Sequence, residues 1–297
     1  MEYDLTQKIF VVTGATSGIG LAAAEMLARQ GAAVIGVGRS TERCRQAEAQ
    51  LRRANPSAPA RMLVADLSLQ SEVTRLAGEI KRQLAEWGKT GLDGLVNNAG
   101  VFTYWLALTA EGIETQWAVN HLAPFLLTHH LLPVLQSAPA ARVVSVSSAS
   151  HYPARLNWDD LQLRRRYNGL AAYGNTKLAN VLFTLELTRR LGDQSTVRTF
   201  AADPGLVKTD MGFKGTPAIA RWVWNLRRSG GEPPEHAARG IVFLLAQPEL
   251  SEARDLYWKD GQPKRPSRRA LDGAAARRLW EISAQMCALP AEVPHAA

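Results

Sequence analysis

The sequence predicts an α/β fold in which a mainly parallel sheet is covered by helices on both faces, the doubly wound arrangement. Two observations predict it. Short apolar runs of strand length alternate with longer helical patterns along the whole chain. A glycine-rich turn also stands between the first strand run and the first helix pattern, where such a sheet meets a ligand. A length of 297 residues would hold two average domains, but no linker and no internal repeat divides the chain. Residues 1–297 are therefore read as one domain.

Strands are expected at Lys8–Thr13, Ala32–Gly38, Arg61–Ala65, Gly94–Asn97, Arg142–Ser147, Val197–Ala201 and Asp255–Trp258, about seven in all. Helices are expected at Leu21–Gln30, Thr41–Arg53, Ser71–Trp87, Gly112–Leu135, Ala171–Arg190, Glu235–Ala246 and Leu271–Leu289. Gly31 stands where a C′ glycine would end the first helix, and Ser40 or Thr41 can cap the second. Right-handed crossovers place ligands at the carboxyl ends of the strands, near the point where the strand order reverses.

Composition narrows the class. Apolar residues make up 46% and charged residues 21%, ordinary for a globular protein that builds its core without staples. Cys44 and Cys287 lie far apart and match no metal or redox spacing, which predicts a reducing compartment, no disulfide framework and no metal site. The polar N-terminus runs straight into the first strand, and no apolar run reaches membrane-spanning length. The expectation is a cytoplasmic protein without a signal peptide or transmembrane segment. A net charge of +8 raises nucleic acid as a partner. The basic residues are scattered, however, over Arg43, Arg45, Arg52 and Arg53, then Arg164–Arg166, then Arg268 and Arg269, with no aromatic platform beside them. A solvated surface with some attraction for anionic ligands is expected instead.

The glycine-rich turn is Thr13-Gly14-Ala15-Thr16-Ser17-Gly18-Ile19-Gly20. A pyrophosphate needs backbone N–H groups brought close with no Cβ in the way, and glycines leading into a helix N-terminus supply that. Its position in the first strand–turn–helix unit makes this a Rossmann-type nucleotide site instead of a bare tight turn. The second strand ends at Arg39 and Ser40, where an NAD enzyme usually presents a carboxylate. A guanidinium there grips a 2′-phosphate, so NADP(H) is expected, although Arg39 also suits a solvated helix start. In Ala65-Asp66-Leu67-Ser68, Asp66 can accept from an adenine amino group or cap the next helix. Asn97-Asn98-Ala99-Gly100 lets a nucleotide lie against backbone while an Asn ties neighbouring loops together.

Tyr173 and Lys177 stand four apart in a helix, one above the other on a single face. A phenol is a weak base near neutral pH, but a close ammonium and an oxidised nicotinamide both favour phenolate, so the pair predicts a lowered Tyr173 pKa and a general acid/base. Upstream, Ser147 and Ser148 end a strand, where a hydroxyl can meet a substrate oxygen. Asn120 lies mid-helix, where Asn is not favoured, and either anchors a water or makes a core hydrogen bond.

These motifs occur in order and resemble the short-chain dehydrogenase/reductase superfamily: Thr13–Gly20, Asn97–Gly100, Asn120, the strand-end serine, Tyr173–Lys177, and Asp203-Pro204-Gly205 followed by Thr209. The insert before Tyr173, with Leu156-Asn157-Trp158-Asp159-Asp160-Leu161, is similar to the retinol-dehydrogenase-like branch. So is the tail, with Tyr257-Trp258, Pro266-Ser267 and Arg278-Leu279-Trp280-Glu281. The resemblance covers essentially the whole chain and implies roles. Tyr173 exchanges a proton with the carbonyl oxygen, and Ser148 hydrogen-bonds it, Ser147 being the lesser candidate. Lys177 holds the nicotinamide ribose and tunes Tyr173, and Asn120 positions a water. Gly14, Thr16, Ser17, Gly18, Ile19, Gly20, Arg39, Ser40, Asp66, Leu67, Asn98, Ala99 and Gly100 would line the nucleotide. Pro204, Gly205, Val207 and Thr209 would lie by the nicotinamide. An N-terminal anchor, frequent in membrane-bound retinol dehydrogenases, is not part of the sequence pattern.

Residues 206–235 are read as a substrate lid and 250–297 as a C-terminal extension. Within the lid, Pro217–Arg228 carries Ile219, Trp222, Val223, Trp224 and Leu226, which suggests a bulky hydrophobic carbonyl or alcohol substrate. Core packing or a homo-oligomer interface would use the same residues. Phe102, Tyr104, Trp105 and Tyr152 are candidate pocket walls. The reading from another class is a non-catalytic NADP(H)-sensing or scaffold protein, against which the complete Ser148–Tyr173–Lys177 set argues. A relative of light-dependent protochlorophyllide reductase would need cysteines in the pocket, for which Cys44 and Cys287 are badly placed.

Overall fold

A computed structural model describes residues 2–207 and 231–294. Its strands are β1 (Ile9–Thr13), β2 (Ala33–Gly38), β3 (Ala60–Val64), β4 (Gly94–Asn97), β5 (Ala141–Val146), β6 (Val197–Asp203), β7 (Tyr257–Lys259) and β8 (Gln262–Pro263). They form one sheet in the order β3-β2-β1-β4-β5-β6-β7-β8. Neighbours are parallel up to β7, and β8 returns antiparallel. The helices are α1 (Gly18–Arg29), α2 (Thr41–Ala54), α3 (Gln70–Glu86), α4 (Thr115–Trp117), α5 (Ala123–Gln136), α6 (Gly169–Leu191), α7 (Pro234–Ala246) and α8 (Gly273–Met286). This is the Rossmann-type α/β fold.

Alternation along each strand divides the core in two. Ile9 and Val11 of β1 face the layer made by α3, α5, α6 and α8, while Phe10 and Val12 face α1, α2 and α7. Both faces are covered, which is why the strands are nearly continuous apolar runs. The strand order reverses at β1, with β2 on one side and β4 on the other, so the loops after β1 and β4 meet over a crevice.

Four details depart from the sequence expectation. Strand β8 follows Asp260 and Gly261, both at positive φ (51° and 74°), the conformation of a two-residue hairpin turn. Its two residues are too few to show a period. The expected helix Gly112–Leu135 begins only at Thr115, because Gly112 sits at φ 73° and Leu108 bridges Glu114. Between α4 and α5 the chain takes a π-helical turn over Ala118–Leu122, closed by the Ala123 N–H on the Ala118 carbonyl. Pro124 has no N–H to continue the ordinary ladder. Last, Asp66 does not cap α3. Its Oδ1 accepts from the Ser68 N–H at 3.0 Å, while the first N–H groups of α3, at Gln70 and Ser71, donate to Glu111 at 2.7 and 3.2 Å.

The insert and the extension pack together. Leu156 is buried in the α6 layer, Arg278 lies 4.6 Å over the Trp158 ring, and Trp280 stacks on Phe183 of α6 at 5.9 Å. Among the described residues no helix is long and apolar enough to cross a membrane.

Candidate active site

A cleft of about 590 Å³ runs along the carboxyl ends of the strands. At its nucleotide end two loops are locked together. The Thr13 hydroxyl accepts from the N–H groups of Asn98 (2.9 Å) and Ala99 (3.0 Å), and the Asn98 amide donates to the Thr13 carbonyl at 2.8 Å. Gly14 adopts φ 69°, and a Cβ there would stand 3.0 Å from Ala99 Cα. A Cβ on Gly20 would meet the Gly14 carbonyl oxygen and Asn98 Nδ2 at 2.4 Å. The loop is therefore drawn tight enough for backbone to approach a ligand. Ser17 precedes α1 without capping it, which leaves the first N–H groups of α1 free of its hydroxyl. Gly14, Thr16, Ser17, Gly18 and Ile19 line the cleft, with Gly20 buried behind them. The residues fit a dinucleotide pyrophosphate.

Toward the adenosine end the lining includes Arg39, Asp66 and Leu67, then Asn98, Ala99 and Gly100. Ser40 is turned away: its hydroxyl caps α2, accepting from the Arg43 N–H at 3.4 Å. Arg43 itself lines the cleft beside Arg39. The sequence held that signal, since Arg43 stands four residues beyond Arg39 in the first turn of α2.

At the other end Ser148, Tyr173 and Lys177 converge on the cleft. The paired serines are not equivalent. Both line the cleft, but Ser147 is 1% exposed and its hydroxyl donates to the Lys177 carbonyl at 2.8 Å, whereas the Ser148 hydroxyl donates to the Ser150 hydroxyl at 3.3 Å and accepts from the Ser150 N–H at 3.2 Å. Lys177 donates to the Val146 carbonyl at 3.1 Å and stands 5.3 Å over the Tyr173 ring. Burial pushes the Tyr173 phenol up to about 12, and the Asp203 carboxylate adds to that. Burial brings the Lys177 ammonium down to about 8. The lowered phenol that the Tyr–Lys spacing predicts is thus not produced by the protein alone. Desolvation outweighs an ammonium that sits over the ring and bonds a carbonyl.

Asn120 is 1% exposed and does not line the cleft. Its carboxamide accepts from the Val101 N–H at 2.8 Å, donates to the Val101 carbonyl at 2.9 Å, and reaches Thr176 at 3.2 Å. The side chain holds the loop after Gly100 against α6. Pro204, Gly205 and Val207 line the cleft, whereas Thr209 and the segment 217–228 lie outside the described residues.

Other side chains of the site escaped sequence reasoning. Asp203, 4% exposed, accepts from the Gly205 N–H at 3.1 Å and pairs with Lys264 at 3.1 Å. Lys264 and Lys259 come from the hairpin of the C-terminal extension and line the same end of the cleft. Of the expected walls, Phe102 packs edge-on against Tyr173 at 6.1 Å. Tyr152 turns to the extension, donating to the Arg265 carbonyl at 2.7 Å.

The family model for short chain dehydrogenases matches residues 8–218. Human retinol dehydrogenase 14 is 35% identical over 295 residues, spanning 95% of this chain and 87% of that protein. A crystal structure of an uncharacterized protein from Mycobacterium paratuberculosis superposes with a TM-score of 0.72 at 35% identity, covering 99% of this chain and 97% of the other. The landomycin C-6 ketoreductase LanV, solved with bound NADP and rabelomycin, superposes with a TM-score of 0.68 at 25% identity, covering 87% of this chain and 96% of its own. Likeness that extends from the first strand through the C-terminal extension exceeds what a shared fold requires. The chain belongs to the short-chain dehydrogenase family, in its retinol-dehydrogenase-like branch, and is an NAD(P)-dependent oxidoreductase.

Proposed function

We propose that the protein is an NADP(H)-dependent carbonyl reductase or alcohol dehydrogenase acting on a hydrophobic aldehyde, ketone or alcohol. The observation that carries this reading is one cleft with Arg39 and Arg43 at one end and Ser148, Tyr173 and Lys177 at the other. Two guanidiniums and no carboxylate at the end of β2 suit a 2′-phosphate. The glycine turn, Asp66, Leu67 and the Asn98–Gly100 loop would hold the rest of the nucleotide. Lys177 would hold the ribose hydroxyls, and Pro204, Gly205, Val207 and Thr209 would border the nicotinamide. Ser40 serves this end indirectly, by fixing the first turn of α2.

When bound, the cofactor supplies or accepts the hydride. The protein handles the proton. Ser148 donates a hydrogen bond to the substrate oxygen and orients it toward Tyr173. In reduction Tyr173 gives its phenolic proton to that oxygen; a phenol raised by burial is protonated at neutral pH and ready to donate. In oxidation it must take the proton, and a positive charge beside it then favours phenolate. Asn120 sets Val101 and Thr176, and Pro124 offers no N–H to its carbonyl, which leaves that oxygen suited to hold a water.

Residues 1–297 act as one domain in this reading, with 206–235 closing over the substrate and 250–297 completing its end of the cleft. Exposed Leu206 and the name of the retinol dehydrogenases both support an apolar substrate. The two buried free thiols, Cys44 and Cys287, suit a reducing compartment and support a cytoplasmic place. The test is a panel of apolar aldehydes and ketones followed by NADPH consumption. Turnover that favours NADPH over NADH supports the reading. Tight NADPH binding with no turnover across the panel would favour a sensor or scaffold instead.

A further inference from the structure

Three residues beyond Ser148, His151 is wholly buried, at 0% exposure. Its ring lies between Tyr152 and Tyr257, with centroids 4.1 and 4.8 Å away. Nδ1 stands 2.8 Å from the Ser148 carbonyl, and Nε2 stands 3.1 Å from the Ser267 N–H. A carbonyl only accepts and a backbone N–H only donates. Nδ1 must therefore carry the proton and Nε2 must be bare, which fixes one neutral tautomer. Burial holds the ring below the ordinary imidazole range, in keeping with that neutral form.

The Ser148 carbonyl also accepts from the His151 N–H at 3.0 Å. Both of its lone-pair directions are then engaged, and the peptide plane after Ser148 cannot rotate without losing two hydrogen bonds. Ser148 itself is extended (φ −174°, ψ 157°), at the junction of β5 with the short turn Ala149–His151. The other partner, Ser267, belongs to the C-terminal extension. It follows the β7–β8 hairpin that carries Lys264 to Asp203, and it caps the turn Arg268–Leu271. One imidazole thus links the end of the central sheet to a segment more than a hundred residues away.

We propose that His151 is a positioning residue: it sets the Ser148 hydroxyl by holding the Ser148 carbonyl. The inference rests on the reading of Ser148 as the donor to the substrate oxygen. A buried His that only filled space would contribute to folding and nothing else. This one bonds the backbone of a residue that lines the cleft, where a displacement of about 1 Å costs on the order of a hundredfold in rate.

Substitutions in the full-length protein separate the two contacts. Asn reaches the Nδ1 position and keeps a donor for Ser148, Gln reaches the Nε2 position and keeps an acceptor for Ser267, and Phe keeps the ring and loses both. His151→Phe is expected to lower kcat by about ten- to a hundredfold. The KM for the carbonyl substrate and the affinity for NADPH, read by fluorescence, should stay within about twofold. His151→Asn should recover most of kcat, and His151→Gln should not. In a Ser148→Ala background, His151→Phe should add less than about a twofold loss, since the group it positions is gone. Should His151→Phe fail to fold, the order of Asn above Gln decides the matter. Gln equal to or better than Asn, or losses that multiply with Ser148→Ala, overturns the proposal. A wild type that turns over no carbonyl at all overturns the proposed function instead, and this inference with it.

Discussion

The two ends of the cleft are built by different means. The nucleotide end is local: one turn after β1, one after β4 and one after β2, shaped by glycine backbone and a shared threonine hydroxyl, with its charges on exposed arginines. The other end is assembled from β5, α6, β6 and the C-terminal extension, and its Tyr173 and Lys177 are buried and displaced from their ordinary ranges. The first end is a matter of shape and the second of desolvation. Damage should follow that division, altering cofactor choice or affinity at one end and rate or pH dependence at the other.

The largest effect is expected at the buried end. Tyr173→Phe removes one hydroxyl and keeps the ring that packs on Phe102, so NADPH affinity should persist while kcat falls by about 10²- to 10⁴-fold. Near wild-type turnover would end the proposed mechanism and the contrast with it.

Arg39→Asp tests the exposed end. A charge-assisted contact to a 2′-phosphate contributes about 1.5–3 kcal/mol, so the ratio of kcat/KM for NADPH over NADH should fall by about ten- to a hundredfold. The kcat with saturating cofactor should hold. An unchanged ratio would make Arg39 a solvated surface charge.

Gly20→Ala is a smaller and purely steric test. The added methyl meets backbone at 2.4 Å, so the turn must shift, at a cost of about 1–3 kcal/mol in stability. Thermal melting should show a lower Tm together with weaker NADPH binding. A variant that melts and binds like the wild type would show that the turn is looser than its geometry.

The subtlest change is Asp203→Asn. The carboxylate raises the Tyr173 phenol, so its removal lets that ionisation move down. In alcohol oxidation, which needs the phenolate, the rise of rate with pH should then begin at lower pH. In carbonyl reduction, which needs the protonated phenol, the fall should begin at lower pH as well. A shift upward would show that losing the Lys264 ion pair matters more than losing the charge.

What could be read from residues alone follows the same division. The alternation of Ile9, Val11 and Phe10, Val12, the Gly14–Gly20 spacing and the four-residue step from Tyr173 to Lys177 are all periodic signals, and each lies where the period places it. The π turn around Asn120 is half legible, because Pro124 marks a break in the helix ladder but not the kind of turn that forms there. Contacts that span the chain left no local mark. Glu111 capping α3, Lys264 reaching Asp203 and His151 meeting Ser267 each join segments that only the tertiary fold brings together. Desolvation is likewise a property of the packed interior, which the spacing of Tyr173 and Lys177 does not show.

The short return strand β8 has a consequence for the sheet as a whole. An open edge offers unpaired N–H and C=O groups to any other chain, and long flat edges invite fibrils. Here the outermost strand at one end is two residues long and ends in Pro263, which has no N–H to offer. At the other end, along β3, the Met62 N–H donates to Glu48 at 2.7 Å and the Val64 carbonyl accepts from Arg75 at 2.8 Å. Side chains of the flanking helices thus occupy two of the places a foreign strand would take, and both margins of an otherwise extendable sheet are blunted against templated growth.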